Sequence, residues 1–429
     1  MIWIMIIMIV ALALIGVPMS FSMLTGSVWF MLTSGMPQTL MIQRLIMAVG
    51  DSFSMLAIPF FMLAGTIMNA GGVATRIFDF CNTLVGHIPG GLGHVNVFCS
   101  VIFAGMSGSA LADTGPATVI AIGSMMYPEM VKRGYPDYQV AGLVAVAGGL
   151  GPIIPPSTGL VLYAMMAEES VGTLFIAGVL PGIIMAAAMC LIVYITAKRR
   201  NYPISPRVTW KERGRAFWRA VPALLSPIIL LSGILLGIFS ATEASVVCCL
   251  YSLFLGIFIY KELSPKGLYN VFLDTLKSSG MVMALVTFSM LLATILNYNQ
   301  IPQAVAAWAV THITSKVGII LACMVLIIIA GMVIDVTPAM LILIPIMMPV
   351  IRQYGINPIA FGVASTLLFS QGLLTPPVGS ILYVLADYTK MPVMRIAKNM
   401  IPYIITFMVL AFCFMMFPQI CTFLPGLIQ

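Results

Sequence analysis

Two aspartates in a strongly apolar sequence are its clearest chemical signal. Asp113 lies in AGMSGSALADTGPA (104–117) and Asp335 in AGMVIDVTPA (330–339). Each follows Ala-Gly-Met and is followed three positions later by Pro-Ala, so the two stretches share one plan. An ionisable group at membrane depth is costly and is retained for function by default. Hydroxyls accompany both aspartates, with Ser107 and Ser109 before the first and Thr337 after the second. Two further stretches, GGLGPIIPPST (148–158) and QGLLTPPVGS (371–380), carry the proline pairs Pro155-Pro156 and Pro376-Pro377 beside Ser157, Thr158 and Thr375. Paired prolines delete backbone donors and forbid helix just before them, while glycines admit tight turns. The carbonyls so freed are hard oxygen ligands for a small alkali cation, and helix N-termini starting beyond a break attract an anion. This chemistry is paired binding of Na⁺ and an acidic organic solute. The competing reading, glycines and prolines that merely kink packed spans, suits any single break better than four in matching positions.

The elements around these residues explain how they are placed. Val95–Phe103 and Thr118–Met126 are each shorter than the roughly 20 residues that cross a bilayer, so with the polar turn between them they predict a re-entrant helical hairpin. A second hairpin is predicted near Val317–Pro349. Broken spans are expected within Tyr138–Met166 and Pro358–Ala386. Irregular backbone at that depth is tolerated only where protein buries it or a wet cavity receives it.

The rest of the chain agrees with a lipid environment. Of 429 residues, 61% are hydrophobic and 8% charged, against about 25% charged in a soluble domain. Span-length apolar runs recur throughout, which predicts an all-α polytopic membrane protein. The first run, Ile2–Val17, has neither a basic flank nor a small-residue cleavage site and reads as a span, not a signal peptide. Eight cysteines without a C-x-x-C pair and three histidines without ligand spacing argue against disulfides, zinc or another transition metal. The net charge of +7 is concentrated in Lys198, Arg199, Arg200, Arg207, Lys211, Arg213, Arg215 and Arg219, with Glu212 the only acid among them. With no soluble module around it, this run reads as a cytoplasmic loop, not a nucleic-acid patch.

That loop divides the sequence into matching halves. Ile15-Gly16-Val17 answers Leu236-Gly237-Ile238, Leu63–Asn69 resembles Leu292–Asn297, Pro155-Pro156 with Tyr163 answers Pro376-Pro377 with Tyr383, and Pro181 answers Pro402. We therefore expect a first repeat over 1–197 (scaffold spans 1–70, hairpin and broken span 92–170), a basic linker over 198–219, and a second repeat over 220–429 (scaffold spans 220–297, hairpin and broken span 317–390). Short amphipathic arms are expected at Met36–Gly50 and Leu263–Ser278, the latter followed by a separate span at Gly280–Asn297. An odd number of crossings per half inverts one relative to the other. With the linker in the cytoplasm, every Lys and Arg except Arg44, Lys316 and Arg352 falls on that side, and both termini lie outside.

By AIPFFMLAG (57–65), SGSALADT (107–114), GPIIPPS (151–157), GIFSATEAS (237–245) and GLLTPPVG (372–379), the chain resembles the large membrane subunit of the tripartite ATP-independent periplasmic (TRAP) transporters. The resemblance implies a Na⁺-coupled elevator importer of acidic solutes such as sialic acid, C4-dicarboxylates or sulfonates in the bacterial inner membrane. A transport domain of both hairpins and both broken spans would slide against a scaffold. It also implies two partners, a small four-helix membrane subunit, expected as a separate chain because Met1 leads straight into a span, and a soluble periplasmic binding protein. Carried onto this sequence, the sodium set is Ser107, Ser109, Asp113, Gly151, Pro152, Pro155, Ser157, Gly331, Asp335, Thr337, Gly372, Thr375 and Val378. The solute set is Ser107, Ser109, Asp113, Pro156, Thr158, Thr337, Pro376, Pro377 and Arg44.

Alternatives attach to several of these residues. Asp113 and Asp335 also suit helix N-caps before Pro116 and Pro338. Ser240-x-x-Glu243 is a capping box. Arg44, on the first arm, either meets an anion or a partner or snorkels to the interface. The competing functions are a stand-alone Na⁺- or H⁺-coupled dicarboxylate carrier, an intramembrane enzyme, and a channel. The enzyme reading lacks a nucleophile–base pair.

Overall fold

A computed structural model describes residues 1–50, 53–107, 123, 125–204, 208–376 and 379–427. The described residues form helices and connecting turns, with no strand among them. The first half contains α1 (Ile2–Leu14), α2 (Met19–Ser34), α3 (Gln38–Gly50), α4 (Ala57–Ala70), α5 (Val73–Val85) and α6 (Gly91–Ser107). It continues through α7 (helical over 125–132), α8 (Asp137–Gly148), a 3-10 turn (Gly151–Ile153), α9 (Thr158–Ala167) and α10 (Val171–Arg200). The second half contains α11 (Trp210–Leu235), α12 (Ala241–Phe254), α13 (Pro265–Tyr298), α14 (Ile301–His312), α15 (Lys316–Val333) and α16 (Val336–Gln353). It ends with α17 (Pro358–Gly372), α18 (Ser380–Thr389), α19 (Val393–Met416) and α20 (Gln419–Gly426). Among the described residues eight helices are long and apolar enough to cross a membrane, and the bent pair α8–α9 makes a ninth if counted as one span. Helices are what the solvent demands, because lipid offers backbone amides no partner outside the segment.

The anticipated interruption at 148–158 is present. α8 ends at Gly148, the chain makes one 3-10 turn, the Pro155–Pro156 bond is cis, and α9 leaves at 44° to α8. Ser157 starts α9 by accepting from the Leu160 N–H at 3.3 Å, the usual N-cap service of a serine. In the second half α17 stops at Gly372 and α18 begins at Ser380. Ser240 and Glu243 form the expected capping box at the head of α12.

The second arm and its span differ from expectation. They are one 34-residue helix, α13, running unbroken through Ser278-Ser279-Gly280. Without a proline the hydrogen-bond ladder survives glycine at a cost of only about 1 kcal/mol. At about 1.5 Å per residue, α13 is roughly 51 Å long and serves as a shared beam. It packs on α2, α3 and α4 of the first half and on α16 of the second. The basic stretch 198–219 is also largely helical: Lys198, Arg199 and Arg200 close α10, and Trp210–Arg219 open α11. Cations at a helix C-terminus are favoured by its dipole. α5 and α14 were not anticipated as helices, yet they occupy corresponding places in the element order of the two halves.

The interior falls into two apolar clusters. The smaller joins α1 and α2 to α13 through Met5, Met23, Phe30 and Leu291. The larger embeds both interruptions and centres on α8, α9, α10, α16 and α17. Tyr163 of α9 ties the halves together, its hydroxyl donating to the Pro358 carbonyl at 2.6 Å and its ring lying over Gly362. A Cβ at Gly362 would sit 2.3 Å from that ring. Gly362→Ala is therefore expected to destabilise by about 1–3 kcal/mol through overpacking, and Tyr163→Phe by about 1 kcal/mol through one lost hydrogen bond. Thermal unfolding of the detergent-solubilised protein reads both, and a Gly362→Ala midpoint equal to wild type contradicts the packing.

Candidate functional site

Each interruption is packed against a neighbouring helix through a glycine. In the first half Gly105, near the end of α6, faces the Pro155 carbonyl, whose oxygen would lie 3.3 Å from a Cβ at Gly105. In the second half Gly331, near the end of α15, meets Gly372 at the end of α17. A methyl on Gly372 would lie 2.4 Å from the Gly331 carbonyl carbon, so the two backbones touch with no room for a side chain. The predicted ligands Gly331 and Gly372 are thus neighbours.

The two interruptions also meet each other. The Ser370 hydroxyl of α17 donates to the Gly149 carbonyl at 2.8 Å in a buried bond. α17 packs on the 3-10 turn Gly151–Ile153 and on α9, and α16 packs on α9. One buried bond therefore spans the joint between a break from each half.

Polar groups at this joint divide into those already engaged and those with capacity left. Ser157 is fully buried; its hydroxyl donates to the Pro152 carbonyl and accepts from Leu160, leaving one lone pair. Gly151 and Pro152 form the buried 3-10 turn, and Thr158 is buried at the first position of α9. Pro155 and Pro156 lie between that turn and Ser157, and Pro156 is buried. Thr375 donates to the Gln371 carbonyl at 2.8 Å; Thr375 and Pro376 are both half-buried. Thr337 is buried in the first turn of α16. Asp335 occupies the N-cap position of that helix, but its carboxylate makes no capping bond to it. Two main-chain oxygens, those of Leu373 and Thr375, converge on Gly379, each 3.0 Å from the place a Cβ would take. Convergent carbonyls of this kind suit a small cation.

Gln371 was missed by the sequence reading. Its side chain is 1% exposed, and among the described residues neither its amide oxygen nor its amide nitrogen has a hydrogen-bond partner. Leaving buried polar atoms unpaired costs about 1–3 kcal/mol, and such groups in native structures call for an explanation. The only signal in the sequence was a long polar side chain immediately before Gly372.

Other predicted positions stand apart or lie beyond description. Ser109, Asp113, Pro377 and Val378 fall outside the described residues, and Ser107 is described only as the last residue of α6. Arg44 is exposed on α3, whose packing partners are α13 and α2. The structure does not bring it to the joint.

Residues 6–420 match the family described as the tripartite ATP-independent periplasmic transporter, DctM component. The chain belongs to this family. As a DctM-family chain it is a transporter permease and not an enzyme. It is 38% identical over 376 residues to the C4-dicarboxylate TRAP transporter large permease protein DctM of Pseudomonas aeruginosa, covering 88% of this chain and 87% of that protein. It is 35% identical over 415 residues to the sialic acid TRAP transporter permease protein SiaT of Haemophilus influenzae, covering 96% of this chain and 66% of that longer protein. The fold is similar to that of the Alcanivorax borkumensis YdaH transporter, with a TM-score of 0.64, 14% identity, and 89% and 88% of the two chains covered. This DctM-family chain is thus a multi-pass bacterial membrane protein of TRAP-type solute transport.

The Gln371 amide gives a prediction with an uncommon sign. Gln371→Leu removes two unpaired polar atoms while keeping most of the volume, so in ligand-free buffer its thermal midpoint should equal or exceed that of wild type. A fall of several degrees would show that the amide is already satisfied.

Proposed function

We propose that this DctM-family permease imports a small acidic organic solute by coupling it to Na⁺, with both species held where the two interruptions meet. The observation that carries this reading is the joint itself. A break from each half shares a buried hydrogen bond, two main-chain oxygens converge on Gly379, and the buried Gln371 amide at the end of α17 has no partner among the described residues. Na⁺ would take main-chain oxygens at Gly151, Pro152, Pro155, Gly331, Gly372 and Val378, together with Ser107, Ser109, Asp113, Ser157, Asp335, Thr337 and Thr375. The acid would be received by helix N-termini at Thr158 and Thr337, with Ser107, Ser109, Asp113, Pro156, Pro376 and Pro377 around it. Gln371 joins this set as a neutral donor and acceptor at the same depth. Arg44, remote and exposed, is better placed for a partner or the lipid interface than for the bound solute.

Movement would follow the elevator pattern. The transport body would be the helices around the two breaks, which share the larger apolar cluster with α4, α11 and α12, while α1 and α2 pack on α13 in the smaller one. The setting would be the bacterial inner membrane with both termini periplasmic, since that orientation puts the basic ends of α10 and α11 in the cytoplasm. A small membrane subunit and a soluble periplasmic binding protein would complete the system. Sialic acid and C4-dicarboxylates, named for the relatives, define the solute class to test first.

The test is uptake into proteoliposomes containing the permease and its small subunit, with the binding protein supplied outside and a panel of carboxylates and sulfonates. Accumulation should require an inward Na⁺ gradient and fail with K⁺ in its place. Uptake at equal rates with no Na⁺ on either side would refute the coupling. Asp335→Asn should raise the Na⁺ concentration for half-maximal uptake about 10-fold or more, the scale set by losing a charge-assisted contact. An unchanged Na⁺ dependence in that variant would remove Asp335 from the ion site. Ser109→Ala and Asp113→Ala are expected to lower Na⁺-driven uptake while the protein remains folded by size-exclusion chromatography.

A further inference from the structure

Away from the joint, a cavity of about 470 Å³ opens where the ends of α8, α10 and α19 meet. Arg199 and Arg200 from the last turn of α10 and Lys398 from the second turn of α19 line it, and no acidic residue does. Among the described residues, none of these three cations takes part in an ion pair. Among the described residues Arg200 meets neutral groups, the Tyr138 hydroxyl at 3.3 Å and the Gln139 side-chain amide. Three unneutralised cations around one cavity are a binding preference for an anion.

The rest of the cavity's lining mixes neutral polar groups, Gln139, Thr196 and Asn399, with a larger share of apolar and aromatic side chains. Ile192, Ile195 and Pro402 form part of its wall, and the rings of Tyr135 and Tyr202 lie 4.7 Å apart at its edge. On α10 the residues Leu191, Ile195 and Arg199 follow at intervals of four, so they share one face. Leu191 and Ile195 are 59% and 42% exposed on a helix of membrane-spanning length. An apolar strip therefore climbs the lipid-facing side of α10 and ends in the cation cluster. Charge at one end of an apolar track matches an amphiphile, whereas a free acidic solute has no use for the track. Tyrosines at the helix ends suit the depth of lipid headgroups.

We propose that this cavity binds an anionic phospholipid, its phosphate held by Arg199, Arg200 and Lys398 and an acyl chain lying along Leu191 and Ile195. The site bridges α8 with α10 and α19, so an occupied cavity clamps three helices of the large core cluster at the membrane surface. Basic pockets between membrane helices select anionic headgroups in this way.

The full-length protein in a neutral detergent tests this by native mass spectrometry and thermal shift with phosphatidylglycerol, phosphatidylethanolamine or inorganic phosphate. Phosphatidylglycerol should bind at least ~10-fold more tightly than phosphatidylethanolamine, as expected when cations near a surface favour anionic lipid. The triple variant Arg199→Gln, Arg200→Gln, Lys398→Gln should weaken it roughly 100-fold, while Lys261→Gln, Lys266→Gln, Lys277→Gln, an equal loss of charge elsewhere, should leave it within about two-fold. Thr196→Trp, which fills the cavity without changing charge, should also block binding, and it keeps the test open if the triple variant does not fold. Equal phosphatidylglycerol affinity in wild type and a folded cavity variant overturns the proposal. So does equal binding of the two lipids. If inorganic phosphate alone binds with the same dependence on the three cations and displaces the lipid, the cavity is a phosphate site and the lipid assignment fails.

Discussion

Main-chain polar groups freed inside a bilayer must find partners within the protein, and most of this architecture follows from that one constraint. A helix that stops leaves its last carbonyls and the next helix's first amides unpaired, and lipid cannot satisfy them. α8 stops at Gly148 and α17 at Gly372, so both breaks are buried in the large core cluster. There they partly satisfy each other, as the bond from Ser370 to the Gly149 carbonyl illustrates. Glycines let the neighbouring helices come close enough to seal the region, most tightly at Gly331 and Gly372. The Leu373 and Thr375 oxygens, which both lie close to Gly379, are where a cation would be received.

The sequence made the interruptions and their pairing legible because proline and glycine act locally. α8 and α17 end at glycines, Gly148 and Gly372, and proline pairs a few residues further on keep the chain from resuming helix at once. The capping box at Ser240 and Glu243 was readable for the same reason. Reading by composition failed where context decides. Ser278-Ser279-Gly280 looks like a joint, but α13 continues through it because a helix is the economical way to satisfy backbone groups in lipid. α5, with Arg76, Asp79 and Asn82, and α14, only 12 residues long, lie below the length and apolarity of a span. They were therefore invisible to a search for crossings.

The candidate site was legible only in part. Gly331 and Gly372 entered the candidate set through the family resemblance, and their mutual contact depends on how α15 and α17 pack. Gln371 could not be found this way, since having no partner is a property of surroundings and not of residue type. Asp335 was compatible with capping or with ligation. Its position is that of a cap, while its carboxylate leaves the helix amides alone. For Arg44 the sequence left an anion, a partner or the lipid interface open, and its exposed place on α3, apart from the joint, agrees with either of the last two.

The most direct measurement is the thermal midpoint of the purified protein across a Na⁺ titration at constant ionic strength, with K⁺ as the balancing ion. A cation bound only by the folded state stabilises it in proportion to the logarithm of its concentration above Kd. The account predicts a midpoint that climbs with Na⁺ and is lower throughout in K⁺, with the increment reduced in Gly379→Ala, where a methyl would crowd the Leu373 and Thr375 oxygens. Superimposable curves in Na⁺ and K⁺ would contradict it, because the converging main-chain oxygens would then hold no sodium.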